Sequence, residues 1–123
     1  MRDAFVAIAW FLGLGVLIAQ AEEAHLSFRS PREGKTVAGL VRLEARLPEG
    51  LGPATLNYYL DLPDVSSVPD NWQDYVLGGS NSNPFFLGWD SGGVEEGRHS
   101  LTAVCTLDTG EVLRTTVTVF VQK

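Results

Sequence analysis

A chain of 123 residues has room for one domain, and 45% hydrophobic with 20% charged residues is the ordinary balance of a globular one. Fifteen acidic against nine basic residues leave a formal charge of −6, with the arginines scattered and only two lysines. That excludes a nucleic-acid partner, because binding to a phosphate backbone draws its affinity from clustered cations.

The N-terminus carries a targeting pattern. Ala4 to Ala19 is apolar or Gly throughout, and Ala19-Gln20-Ala21 precedes Glu22-Glu23 as an A-x-A cleavage site would. With Met1-Arg2-Asp3 in front, residues 1-21 have the three parts of a secretory signal peptide. The alternative is a retained membrane anchor. The apolar run is shorter than the ~20 residues of a bilayer span, although Asp3 is unusual at the start of a signal and Gln20 suits an interface. Either reading exports residues 22-123 to the periplasm, cell surface or exterior, and contact with a membrane is expected only if the segment is retained. No cysteine follows the apolar run, so a lipid-modified cysteine anchor is excluded.

The exported part reads as strands. His25 to Ser30 alternates and stops at Pro31, as a first edge strand would, and Pro31 to Lys35 is a turn with Gly34 free to take positive φ. From Val41 to Leu47 odd positions are apolar and even positions carry alternating charge, which predicts one dry face and one wet face. A Gly- and Pro-rich loop spans Pro48 to Pro53, and the next strand, Leu56 to Asp61, turns Leu56, Tyr58 and Leu60 inward.

Between Leu62 and Asn83 the alternation dissolves into Pro, Asp, Asn, Gly and Ser, with a short strand or turn near Tyr75-Val76-Leu77. A loop this long within one domain is usually functional or partly disordered. Past it, Phe85-Leu87-Trp89 and Leu101-Ala103-Cys105-Leu107 are inward runs flanking an acidic Gly turn. A hairpin turn at Asp108-Thr109-Gly110 leads to a last strand, Glu111 to Val121, with Val117, Val119 and Val121 inside and Phe120 outside. Trp89, Leu43, Tyr58 and Val119 are expected to meet at the centre. Asp90 and Asp108 are placed to accept hydrogen bonds from backbone N–H groups two residues on, and His99 to pack its ring at a sheet end.

Chemistry-bearing residues are few. Cys105 is in phase with the core residues, which reads as a buried thiol acting as a small hydrophobe; a reactive thiol or an intermolecular bridge is the alternative. There is no G-x-S-x-G elbow, and His25 and His99 lie in different strands, so no nucleophile with an oriented base is expected and the chain reads as a non-enzyme. Zinc would need clustered His and Cys, and no cofactor is implied. Asp61, Asp64, Asp70 and Asp74 crowd the long loop with oxygen ligands of the kind calcium takes, though in no EF-hand spacing. Trp72 and Tyr75 on the same loop either stack on a sugar or a protein partner, or fold back to cap an open end of the sandwich. Phe120, out of phase with its valines, hints at a covered outer face.

The pieces Ser30-Pro31-x-x-Gly34-x-x-Val37-x-Gly39, Leu56-x-Tyr58-Tyr59-Leu60-Asp61, Trp89-Asp90-Ser91, Val94-x-x-Gly97-x-His99-x-Leu101-x-Ala103 and Asp108-Thr109-Gly110 cover most of residues 26 to 121. In that order and spacing the chain resembles the bacterial immunoglobulin-like domains of secreted and cell-surface proteins. The resemblance implies an all-β sandwich of about seven antiparallel strands, used as a spacer, stalk or adhesion module without chemistry of its own. Cys105 departs from the small residue usual there, and the segment from Leu62 to Asn83 is longer than the family's connection. The function expected is protein–protein contact with another envelope or extracellular protein. The alternatives are a glycan held by Trp72 and Tyr75, or an anchored accessory subunit of an envelope complex.

Overall fold

The computed structural model describes residues 25–123, so the segment read as signal peptide or anchor, residues 1-21, lies outside it. Eight strands follow in chain order: β1 (Ser27–Ser30), β2 (Lys35–Val37), β3 (Leu40–Arg46), β4 (Ala54–Leu60), β5 (Val76–Ser80), β6 (Phe85–Asp90), β7 (Gly97–Leu107) and β8 (Val112–Val121). They form a three-stranded sheet, β1-β3-β6, and a five-stranded one, β2-β8-β7-β4-β5. Among the described residues the helical elements are two 3-10 turns, Trp72–Asp74 and Ser91–Gly93, and no helix is long and apolar enough to cross a membrane.

Alternation builds the core. Odd-numbered residues of β3, β6, β7 and β8 face in, and Leu43, Tyr58, Trp89 and Val119 are all buried in one apolar cluster with Leu101, Ala103, Cys105 and Leu107. Each fully buried aliphatic side chain contributes roughly 1.5–3 kcal/mol, before conformational entropy offsets most of the total. One polar tie crosses between the layers: the Tyr58 hydroxyl donates to the Phe85 carbonyl of the opposite sheet. Burial pushes the Tyr58 phenol well above its usual range. The Phe28 ring packs against it with centroids 5.9 Å apart.

Two expectations are corrected. The sandwich has eight strands instead of about seven, and one pairing is parallel: β2 lies along β8 with Lys35, Thr36 and Val37 opposite Val119, Phe120 and Val121. The chain leaves the three-stranded sheet at Pro31, which has no N–H to donate, and re-enters on the other sheet after Gly34 at φ +80. One N-terminal stretch thereby serves both layers.

The segment from Leu62 to Asn83 is not all loop, because Val76 to Ser80 pairs with β4. Its Gly-Gly tail resembles a turn in sequence but sits inside a strand, where a Cβ on Gly79 would lie 2.3 Å from the Asn57 side-chain oxygen and 2.6 Å from the Leu56 carbonyl. Glycine is there for close approach of two backbones. At the end of this segment the Asn83 side chain exchanges two 3.1 Å hydrogen bonds with the backbone of Leu47, extending the β3–β6 ladder by one rung.

Candidate functional site

With the inner faces spent on the core, any contact surface lies on the outer faces, the edges or the loops. The two outer faces differ. On the five-stranded sheet, residues 61–75 cross as a strap. Leu62 and the outward-facing Tyr59 and Val104 form a second buried cluster, with Val68, Tyr75 and Val76 packed against it. Thr102, also outward in phase, has no exposure and shares a 3.0 Å hydroxyl hydrogen bond with Thr116. Burial raises the Tyr59 phenol against the lowering influence of Arg114.

A clasp holds the strap where it leaves β4. Asp61 takes the left-handed conformation at φ 56, which Asp tolerates better than most residues. Its carboxylate accepts from the Ser100 N–H at 2.9 Å and lies 2.6 Å from His99 Nδ1. The other ring nitrogen of His99 is 2.7 Å from the Glu95 carbonyl. Both partners are acceptors, and only an imidazolium donates from both nitrogens. Burial opposes that charge, but the bonds to Asp61 and to the Glu95 carbonyl outweigh it and raise the His99 pKa.

Trp72 and Tyr75 therefore part company. Tyr75 is drawn against the buried cluster of Tyr59, Leu62 and Val104. Trp72, on the 3-10 turn, stays 40% exposed. Phe120 projects outward from β8 and is 42% exposed.

The four loop carboxylates do not converge. Asp61 is engaged with His99 and Ser100. Asp64 accepts from the N–H and hydroxyl of Ser66, which lower its pKa. Asp74 accepts from the Asn71 amide at 3.3 Å, and Asp70 is exposed. Among the described residues no three His, Cys, Asp or Glu side chains are grouped to hold a metal ion. Asp90 does accept from the Gly92 N–H at 2.9 Å as expected. Asp108 does not play the matching part, since Gly110 N–H goes to the Leu107 carbonyl. Cys105 is fully buried, and burial raises its pKa.

Among the described residues no strap crosses the outer face of the three-stranded sheet. Leu40 is 79% exposed and Phe86 is 42% exposed. With Arg42, Leu87 and Gly88 they line an open groove of about 430 Å³. The Arg42 guanidinium stacks 4.1 Å above the Phe86 ring, a cation–π contact, and Arg46 pairs with Glu44 at 2.8 Å. Sequence reasoning missed this face. The available signal was the Phe85-Phe86 pair, because neighbours in a strand point to opposite faces and only one of two rings can enter the core.

Compared with known proteins, the chain matches no family model and no curated protein sequence. Among solved structures it is similar to the endo-beta-1,4-mannanase from Thermotoga petrophila, at 12% identity and TM-score 0.61 over 85% of this chain and 21% of that one. It is also similar to the fibronectin(III)-like modules of CbhA from Clostridium thermocellum, at 14% identity and TM-score 0.58 over 89% of this chain and 50% of theirs. The chain thus spans about a fifth and a half of those two structures. At such identity the likeness speaks for the fold alone, and that fold is a β-sandwich of immunoglobulin-like type.

Proposed function

We propose that this chain is an exported, non-catalytic immunoglobulin-like module of the bacterial envelope or exterior that works by protein–protein contact through the bare face of its three-stranded sheet. The observation that carries this reading is the exposure of Leu40 and Phe86 side by side on a face that no segment covers among the described residues. Exposed apolar groups flanked by Arg and Glu are the composition of an interface centre and its rim. Export rests on the targeting pattern of residues 1-21. Absence of catalysis is supported by the buried Cys105 and by a His99 whose two nitrogens are both engaged.

The glycan reading is carried by Trp72 alone, since Tyr75 is turned to the sheet, and one free ring is a poor sugar platform. The test is affinity capture from envelope extract with wild type, Trp72→Ala and a Leu40→Ser/Phe86→Ser double variant. A partner held by the first two and lost by the third is the expected result. A ligand lost only by Trp72→Ala, and found to be a glycan, overturns it.

A further inference from the structure

Open sheet edges invite strand pairing, and folded proteins guard them. Three of the four edges here are guarded. β1 is four residues with an irregularity between Phe28 and Ser30, and Pro31 follows it. β2 is three residues. β5 slips register opposite Tyr58 and Tyr59 and bends at Gly78, φ +149. β6, with Pro84 just ahead of it, is the least guarded edge among the described residues. It runs in unbroken register from Phe85 to Asp90 beside β3, with no lysine, no proline and one charge, Asp90.

Its ladder fixes which backbone groups face outward. Ser91 N–H donates to the Gly39 carbonyl at 2.8 Å, continuing the register in which Val41 faces Trp89. Hydrogen-bonded pairs alternate in an antiparallel ladder, so odd residues of β6 bond to β3. Phe86 and Gly88 therefore turn their N–H and C=O groups to the open edge while their side-chain positions lie on the outer face.

We propose that β6 pairs antiparallel with β6 of a second copy of this chain, about a two-fold axis at Leu87, joining two three-stranded sheets into one of six strands. This rests on the contact role above and names the partner of that face. Centring on Leu87 sets Phe86 opposite Gly88 of the second copy and Gly88 opposite its Phe86, each pair exchanging two backbone hydrogen bonds. Both sides of a two-fold contact are the same patch, and this patch is complementary to itself. A ring meets a position without a side chain, beside Leu40, whose Cδ1 stands 3.7 Å from where a Cβ on Gly88 would be.

Charge agrees with shape. Arg42 neighbours Gly88 and Glu44 neighbours Phe86 in the β3–β6 register. Each outer-face row across the axis then reads Arg42, Gly88, the second copy's Phe86, the second copy's Glu44, so that no like charges face each other across the seam. Arg42, already above its own Phe86, comes to lie between two rings. An unrelated extended segment would pair with the backbone but has no reason to supply this row.

The test is sedimentation of the full chain over a concentration series in mild-detergent micelles, which keep the apolar residues 4–19 from driving association. Wild type is expected as a dimer and Gly88→Lys as a monomer. This variant keeps the fold, because Gly88 does not need positive φ and a Cβ there meets only Leu40 at an ordinary contact distance; unchanged circular dichroism checks this. In wild type at dimer-forming concentration the Phe86 and Gly88 amides exchange at least about tenfold more slowly than in Gly88→Lys. Monomeric wild type, or a dimer that survives Gly88→Lys, overturns self-pairing. If a heterologous partner is still captured through Leu40 and Phe86 by a monomeric wild type, the contact role stands and only the self-pairing falls.

Discussion

The two sheets turn unlike backs to the solvent. The strap of residues 61–75 covers the five-stranded sheet where Leu62 packs with Tyr59 and Val104, so both are buried although they point away from the core. The three-stranded sheet leaves Leu40 and Phe86 in the open with Arg42 laid over the ring. On the first face the outward apolar residues under the strap are satisfied within the molecule and serve stability, although Phe120 of the same sheet stays exposed. On the second they are left for another surface. In one sandwich, an apolar residue on the outside of a strand has opposite meanings according to what a distant loop does.

The sharpest way to break this contrast is to cut into the strap. Leu62→Ala should cost about 2 kcal/mol, at the low end for a buried leucine because a strap can settle into the gap. That lowers the thermal midpoint by on the order of 10 °C in calorimetry. Destabilisation below about 0.5 kcal/mol would mean that the strap merely lies on the sheet.

The clasp comes next in size. His99 has a raised folded-state pKa. Its contribution is full below the unfolded histidine value, near 6.5, and is lost as pH rises through the folded value. Stability should therefore fall by about 1 kcal/mol from pH 6 toward alkaline conditions. That is less than the 1.5–3 kcal/mol of a hydrogen bond to a charged group, since the Asp61 carboxylate is about half exposed. Glu95 is the other acid facing this ring. Asp61→Asn keeps a residue that tolerates positive φ and removes the charge, so urea midpoints across the pH series should flatten for this variant. An unchanged slope would exclude the Asp61 carboxylate as the source of the pH dependence.

Smaller effects refine the picture. Trp72→Ala should cost under about 1 kcal/mol, because its ring is partly exposed on a short turn. The smallest is Leu40→Ser in the Gly88→Lys background, expected within about 0.5 kcal/mol of its parent by chemical denaturation. A clearly larger loss there would show that Leu40 supports the fold, and the contrast between the faces would dissolve.

How much of this was legible in the sequence follows from locality. β3, β7 and β8 announce themselves, because alternation over seven or more residues is a property of the strand itself. β2 does not: three residues held parallel to a strand at the far end of the chain leave no local period. β5 was legible only at its start, near Val76 and Leu77; its remainder was masked by Gly78 and Gly79, whose reason for being glycine is the nearness of Asn57, Leu56 and Leu87.

The candidate sites fare likewise. Asp61 was singled out as a loop carboxylate, and its true partners, His99 and Ser100, became neighbours only when β4 and β7 took a register in which Leu60 faces Leu101. Tyr75 and Trp72 are three residues apart, and nothing in their neighbourhood says which would be drawn to the sheet. Function in a module of this kind sits on which outward residues stay uncovered, and that is decided by contacts between segments far apart in sequence.

Cys105 gives the molecule a built-in reporter. Its sulfur is sealed between the layers and is the chain's one thiol, so an alkylating reagent can reach it only in moments when the sandwich comes apart. The rate at which label accumulates under native conditions is then a stopwatch for opening, readable by intact mass without any engineered probe.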